Sequence, residues 1–156
     1  MKKVLFLCTG NYFRSRFAEI LFNSMAADRQ VPWRADSRAL AVELGSKNIG
    51  PISQHARRGL AARGIMIEPQ PRNPQQATDS DFRNADIVIA VKEREHRPLV
   101  ESRFPAWASK VRYWDIDDVG DTPVEESLAA MEREISLLLH GLCCGGNRES
   151  PDFRKL

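Results

Sequence analysis

Short apolar runs and segments of helical period take turns along the chain. Residues 3–7 (KVLFL) and 86–91 (DIVIAV) are near-continuous apolar runs, the pattern of strands covered on both faces. Residues 33–38 (WRADSR) read as a weaker second strand and residues 110–116 (KVRYWDI) as a fourth. After Ser15 the residues Phe17, Ile20, Leu21 and Met25 recur at helical spacing. Residues 52–64 (ISQHARRGLAARG) form a helix closed by Gly64. Pro69, Pro71 and Pro74 mark a loop, with a short helix after Thr78. The segment EREHRPLVE (93–101) is helical around a break at Pro98. Thr122-Pro123 followed by Glu125 signals a capped helix start, and Leu128, Met131, Ile135, Leu138, Leu139 and Leu142 give that helix an apolar stripe. The order β-α-β-α-β-α-β-α predicts an α/β fold: a four-stranded parallel sheet flanked by helices on both faces.

The length fits one domain, expected over residues 1–143, with a polar, fraying tail at 144–156. Lys and Arg total 23 against 21 Asp and Glu, a balance that argues for neither a nucleic-acid nor a membrane partner. The start MKKVLFLCTG mimics a signal peptide, but its apolar run of five residues is shorter than the roughly 7–15 of such a segment. The three cysteines, Cys8, Cys143 and Cys144, do not look like a secreted disulfide framework, so a reducing cytoplasm is the expected compartment. His55, His96 and His140 are scattered, and no Cys or His pair has zinc-ligand spacing. Neither a metal nor another cofactor is expected.

The stretch FLCTGNYFRSRFAE (6–19) changes the picture. In parallel sheets, ligands bind outside the carboxyl ends of strands, and Cys8 falls at such an end. A helix begins near Ser15, so its free N–H groups and positive dipole end face the loop. Gly10 permits an unusual backbone angle and Asn11 tolerates the left-handed region, so the loop can turn its N–H groups inward as an anion nest. Arg14 adds a planar fork for two phosphate oxygens, and Ser15 can donate to a thiolate. Together these residues describe a nucleophile attacking a bound phosphoryl group. A second reading stands beside it: Cys8 is a buried core residue and Arg14 a solvated helix-start residue. A bare C-x5-R is weak in a basic-rich chain; the strand before it, Gly and Asn inside it and the helix behind it strengthen the functional reading.

The stretch VLFLCTGNYFRSRFAE resembles the phosphate-binding loop of the low-molecular-weight protein tyrosine phosphatase family, C-x-G-N-x-x-R-S after a first strand. WRADS (33–37), DFRNADIVIAV (81–91) and WDIDDV (114–119) extend the resemblance over most of the chain. It implies a cofactor-free phosphatase with a phosphocysteine intermediate, acting on a phosphorylated protein or small phosphomonoester. Cys8 would be the nucleophile and Arg14 the clamp. The backbone of Thr9, Gly10, Asn11, Tyr12, Phe13 and Arg14 would cradle the phosphate. Asn11, Ser15 and Ser37 would hold the loop, and Asp118 would be the general acid.

The departures from the family pattern matter. Val119 replaces the proline after the acid, and Asp115 and Asp117 lie close enough to compete with Asp118. Phe13 stands in place of a second loop cysteine, Arg16 in place of a loop proline and Arg72 in place of a supporting histidine. Gly120 and Asp121 occupy the positions of two tyrosines after the acid, and Glu43 falls near that of a wall aromatic. Tyr12 is expected at the rim of the cleft, Phe13 packed beneath the loop and His55 on a helix surface. Two other functions compete: a phospho-ligand binding module with poor turnover, and an arsenate reductase, disfavoured because residues 9–142 hold no further cysteine.

Overall fold

Parity along the first strand sorts the core into two halves. β1 (Lys2–Cys8) sends Val4, Phe6 and Cys8 to one face of the sheet and Leu5 and Leu7 to the other. The computed structural model describes residues 1–144, so the tail expected at 144–156 lies, Cys144 apart, outside the described residues. All four strands are parallel, in the order β2-β1-β3-β4, with β2 at Trp33–Ala39, β3 at Ile87–Ala90 and β4 at Val111–Tyr113. On the Phe6 face lie α1 (Arg14–Asp28), α2 (Gln54–Ala61) and α5 (Val124–Cys144), whose Phe17, Phe22, Leu60, Leu128, Met131 and Ile135 close the larger core. On the Leu5 face lie α3 (Asp79–Asn84) and α4 (Glu93–Arg103), with Phe82, Val88 and Val100. Two 3-10 turns, Val42–Gly45 and Pro105–Lys110, complete the fold.

Helices α1, α2 and α5 meet closely at Gly59. A Cβ there would come within 2.8 Å of Leu128 Cδ1 and 3.2 Å of Phe17 Cε2, so only glycine lets α2 approach its neighbours this far. The order β2-β1-β3 places the topological switch between β1 and β3, and the carboxyl ends of these two strands carry the segments that begin at Cys8 and Lys92.

Three local expectations need correction. The fourth strand stops at Tyr113, although Trp114 and Ile116 still donate to the Ala90 and Val91 carbonyls. That irregular continuation carries Ile116 and Asp118 over the end of β1. Pro98 does not break α4: it and Arg94, whose carbonyl loses its partner, are both exposed, while buried His96 and Val100 anchor the helix. A capping box forms at Thr78 and Asp81, before α3, whereas Thr122 pairs through its hydroxyl with Ser127.

Candidate active site

The loop after β1 is built around Asn11. Asn11 takes the left-handed conformation (φ 53°), so it, and not Gly10, makes the unusual turn that the loop requires. A Cβ on Gly10 would meet only ordinary contacts, at 3.5 Å from Asn48 Nδ2 and 3.6 Å from Gly45 Cα. The Asn11 side chain is fully buried and uses its whole hydrogen-bonding capacity. Its Nδ2 donates to Ser15 Oγ (2.8 Å) and Ser37 Oγ (2.9 Å), while its Oδ1 accepts from Arg72 Nη1 (2.9 Å) and Gln75 N (3.1 Å).

This bonding aims donors at the sulfur. Cys8 Sγ accepts from the Asn11 backbone N–H at 3.3 Å and lies 3.0 Å from Ser15 Oγ. Because Ser15 Oγ already accepts from Asn11, its own proton is free to point at Cys8. Ser37 Oγ in turn donates to Glu19 Oε1 at 2.6 Å. Arg72 binds the same carboxylate at 3.0 Å and the Ser37 carbonyl at 2.9 Å. Arg72 thus supports the loop from the position where the resemblance implies a histidine. No acidic residue occupies the first turn of α1, so nothing in that turn competes for an anion at its start.

Arg14 is 3% exposed and points into the same cleft. Its Nη1 donates to the Ile116 carbonyl (3.1 Å), its Nη2 to Glu95 Oε2 (2.5 Å), and Asp118 Oδ2 lies 3.5 Å from Nη2. Burial works against its charge, but Cys8, Asp118 and Glu95 outweigh burial and raise its pKa. Asp118 faces the cleft with its Oδ1 accepting from the Val119 N–H. Asp115 and Asp117 are drawn off by Lys92 Nζ, at 2.6 and 2.5 Å. The three candidate aspartates are therefore sorted by geometry, and only Asp118 lies against Arg14.

The cleft encloses about 370 Å³. It is lined by the loop residues Cys8, Thr9, Gly10, Tyr12, Phe13 and Arg14, by Asn48, Ser53, Gln54 and His55, and by Asp118 and Val119. Phe13 is buried but reaches the cleft lining and so does not lie wholly beneath the loop, and half-buried Tyr12 donates its hydroxyl to the Ile49 carbonyl at 2.6 Å. His55 lies partly exposed on α2, as expected, and also lines the cleft, where its ring meets Phe13 edge-on at 6.1 Å. Ser53 caps α2 by accepting the His55 backbone N–H at 3.1 Å. Glu43 pairs with Arg103 instead of lining the wall.

Sequence reasoning missed Glu19, Glu95 and His96 as neighbours of the site, and the burial of Arg16. Arg16 is 2% exposed and ties α1 to the Pro51 and Arg72 carbonyls at 3.0 and 2.9 Å. Burial and the nearby Arg72 charge lower its pKa to about 10. The signal for Glu95 and His96 was topological: they lie in the first turn of α4, the helix that follows β3, whose carboxyl end flanks that of β1.

Comparison with known proteins places this geometry. A sequence model described as "Low molecular weight phosphotyrosine protein phosphatase" matches residues 3–139. The chain is similar to the low molecular weight phosphotyrosine protein phosphatase of Gallus gallus, 32% identical over 102 residues that make up 64% of this chain and 60% of that protein. It is also similar to a protein-arginine-phosphatase of Bacillus subtilis, 30% identical over 108 residues, 69% of this chain and 67% of that one. The chain thus spans about three fifths of the length of its vertebrate relatives. The crystal structure of a low molecular weight protein tyrosine phosphatase from T. tengcongensis superposes with a TM-score of 0.70 at 28% identity, covering 90% of this chain and 96% of the other. A match over residues 3–139, nearly the whole described chain, makes this protein a member of the low molecular weight phosphotyrosine protein phosphatase family.

Proposed function

We propose that the protein is a cysteine-dependent phosphatase that hydrolyses phosphomonoesters of the phosphotyrosine type through a phosphocysteine on Cys8. One observation carries the reading: the Cys8 sulfur, receiving donors from the loop, shares a cleft with Arg14, and Asp118 lines the same cleft 3.5 Å from the guanidinium. The phosphate would sit in the loop from Thr9 to Arg14. Backbone N–H groups and the guanidinium would take its oxygens, since these donors best match the charge that develops in the transition state. Cys8 Sγ forms a bond to phosphorus as the phosphorus–oxygen ester bond breaks, and Asp118 gives its proton to the departing oxygen. Asp118 then takes a proton from water, the water oxygen attacks phosphorus, and the sulfur–phosphorus bond breaks to release inorganic phosphate. Ser15, held by Asn11, stabilises the sulfur as it leaves.

The cleft wall supports a second substrate reading. Where the family places two tyrosines after the acid, this chain has Gly120 and Asp121, and the opposite wall offers Asn48, Gln54 and His55. These polar groups suit a hydrogen-bonding leaving group, and phosphoarginine is the chemistry named in the Bacillus subtilis relative. The test is turnover of phosphotyrosine, phosphoarginine and an aryl phosphate by the wild type and by Cys8→Ser. Turnover lost in Cys8→Ser supports the enzyme. Phosphate binding without turnover in the wild type would favour a binding module instead.

A further inference from the structure

One oxygen of Glu95 gathers three groups. Arg14 Nη2 donates to Glu95 Oε2 at 2.5 Å, Thr9 Oγ1 donates to it at 3.0 Å, and His96 Nε2 lies 2.6 Å away. Thr9 and Arg14 open and close the phosphate loop, so this carboxylate ties both ends of the loop to the start of α4.

His96 is fully buried and held in one orientation. Its Nδ1 accepts the Lys92 backbone N–H at 3.0 Å, and the His96 backbone N–H donates to the Lys92 carbonyl at 2.8 Å. With Nδ1 accepting, the ring proton of the neutral imidazole sits on Nε2, the nitrogen 2.6 Å from Glu95 Oε2. Burial lowers the His96 pKa and the Arg14 charge lowers it further, which favours that neutral ring. Burial opposes the Glu95 charge, but His96 and Arg14 overcome it and hold the carboxyl at about 2, so Glu95 is ionised at neutral pH.

The consequence concerns the direction in which Arg14 points. A guanidinium offers five N–H donors on a long flexible stem. The Ile116 carbonyl takes one and Glu95 another, from opposite ends of the group, which leaves three for a phosphate. We infer that Glu95 and His96 are positioning residues for this site: Glu95 orients the Arg14 guanidinium, and His96 orients Glu95. The inference rests on the reading of Arg14 as the phosphate clamp. It assigns a task to two residues that touch neither the phosphate nor the leaving group.

Two effects of Glu95 oppose each other, and the test separates them. Its negative charge weakens the attraction of any oxyanion to Arg14, so removing the charge acts alike on phosphate and vanadate. Its geometric hold acts on the ligand that demands alignment. Vanadate on a thiolate approaches the five-coordinate shape of the transition state, whereas phosphate is a tetrahedral product. The readout is therefore the ratio of vanadate to phosphate affinity, measured by calorimetry on the intact protein. In Glu95→Gln this ratio is expected to fall about tenfold or more, the order of effect of a misplaced oxyanion donor. His96→Leu should lower it by less, and His96→Gln, which restores an amide donor, should recover part of the loss.

A purely structural ion pair would lower the melting temperature and leave the ratio as in the wild type; that result overturns the inference. Should Glu95→Gln fail to fold, Glu95→Asp keeps the charge and withdraws the oxygen by about one bond length. An unchanged ratio in that variant is equally fatal. A Glu95-dependent ratio in a protein that turns over no phosphorylated substrate would sink the phosphatase reading and leave the positioning role standing.

Discussion

Replacing Asn11 with alanine tests the architecture of the loop. The change removes four hydrogen bonds, two from Nδ2 and two to Oδ1. Three of them involve neutral partners, at a net value of about 1 kcal/mol each. The fourth comes from the Arg72 guanidinium and is worth about 1.5–3 kcal/mol. Alanine also inherits the left-handed conformation at φ 53°, which costs a further 1–2 kcal/mol or so. Water and local relaxation recover part of this sum, because the groups share one network and their contributions do not add. The expected loss is at least about 3 kcal/mol, a large fraction of the roughly 5–15 kcal/mol that holds a domain together.

Asn11→Gly isolates the backbone term. It deletes the same bonds but relieves the left-handed strain, against roughly 0.4–1 kcal/mol for the greater freedom of glycine in the unfolded chain. The glycine variant should therefore be more stable than the alanine variant by about 0.5–1 kcal/mol. Urea unfolding gives both numbers, provided the slope m is unchanged and the midpoint alone moves. A loss below about 1 kcal/mol in Asn11→Ala would show that the bonds around Asn11 do not hold the loop. Equal stabilities for the two variants would remove the backbone argument.

Two further outcomes follow from the site. Asp118→Asn should slow hydrolysis of an alkyl or phenyl phosphate more than that of a nitrophenyl phosphate, whose oxygen leaves without a proton. Asp115→Asn and Asp117→Asn should show no such dependence, since Lys92 holds both; a leaving-group effect in either would move the acid to that residue. The acid stability of the fold should carry the signature of Glu95. Its folded carboxyl is depressed from the ordinary 4.5 to about 2, so its contribution is present above pH 4.5 and disappears as pH falls through about 2. The urea-midpoint gap between wild type and Glu95→Gln should thus be constant near neutrality and close between pH 4.5 and 2. Solvent screening at this partly exposed side chain keeps that gap small, and a gap that persists to pH 2 would contradict the assignment.

The parts of the site that were legible in the sequence are those that the chain writes contiguously. Cys8, Asn11, Arg14 and Ser15 sit in one strand-loop-helix segment, so their spacing alone brings them together. The strand runs were legible for a related reason: burial on both faces leaves an unbroken apolar word. Glu19 and Glu95 were opaque because charged residues on helices ordinarily face water, and Arg72 was visible only as the replacement of a histidine that the resemblance implies. Only the tertiary fold brings Arg72 across 61 positions to Asn11 and Glu95 across 81 to Arg14. The stretch EREHR reads as a solvated helix face, yet His96 within it is fully buried. The choice among three neighbouring aspartates depended on Lys92, whose salt bridges no spacing rule reveals.

The central claim is that Cys8 itself takes the phosphoryl group. Turnover of an aryl phosphate by the wild type, quenched in acid within the first cycle and digested for mass spectrometry, tests it directly. The account predicts a phosphate carried as a thioester-like S–P bond on the peptide containing Cys8, absent from Cys8→Ser and accumulating further in Asp118→Asn, where the attacking water has lost its base. Turnover at full rate with no phosphate on that peptide, or with phosphate on another residue, would contradict it.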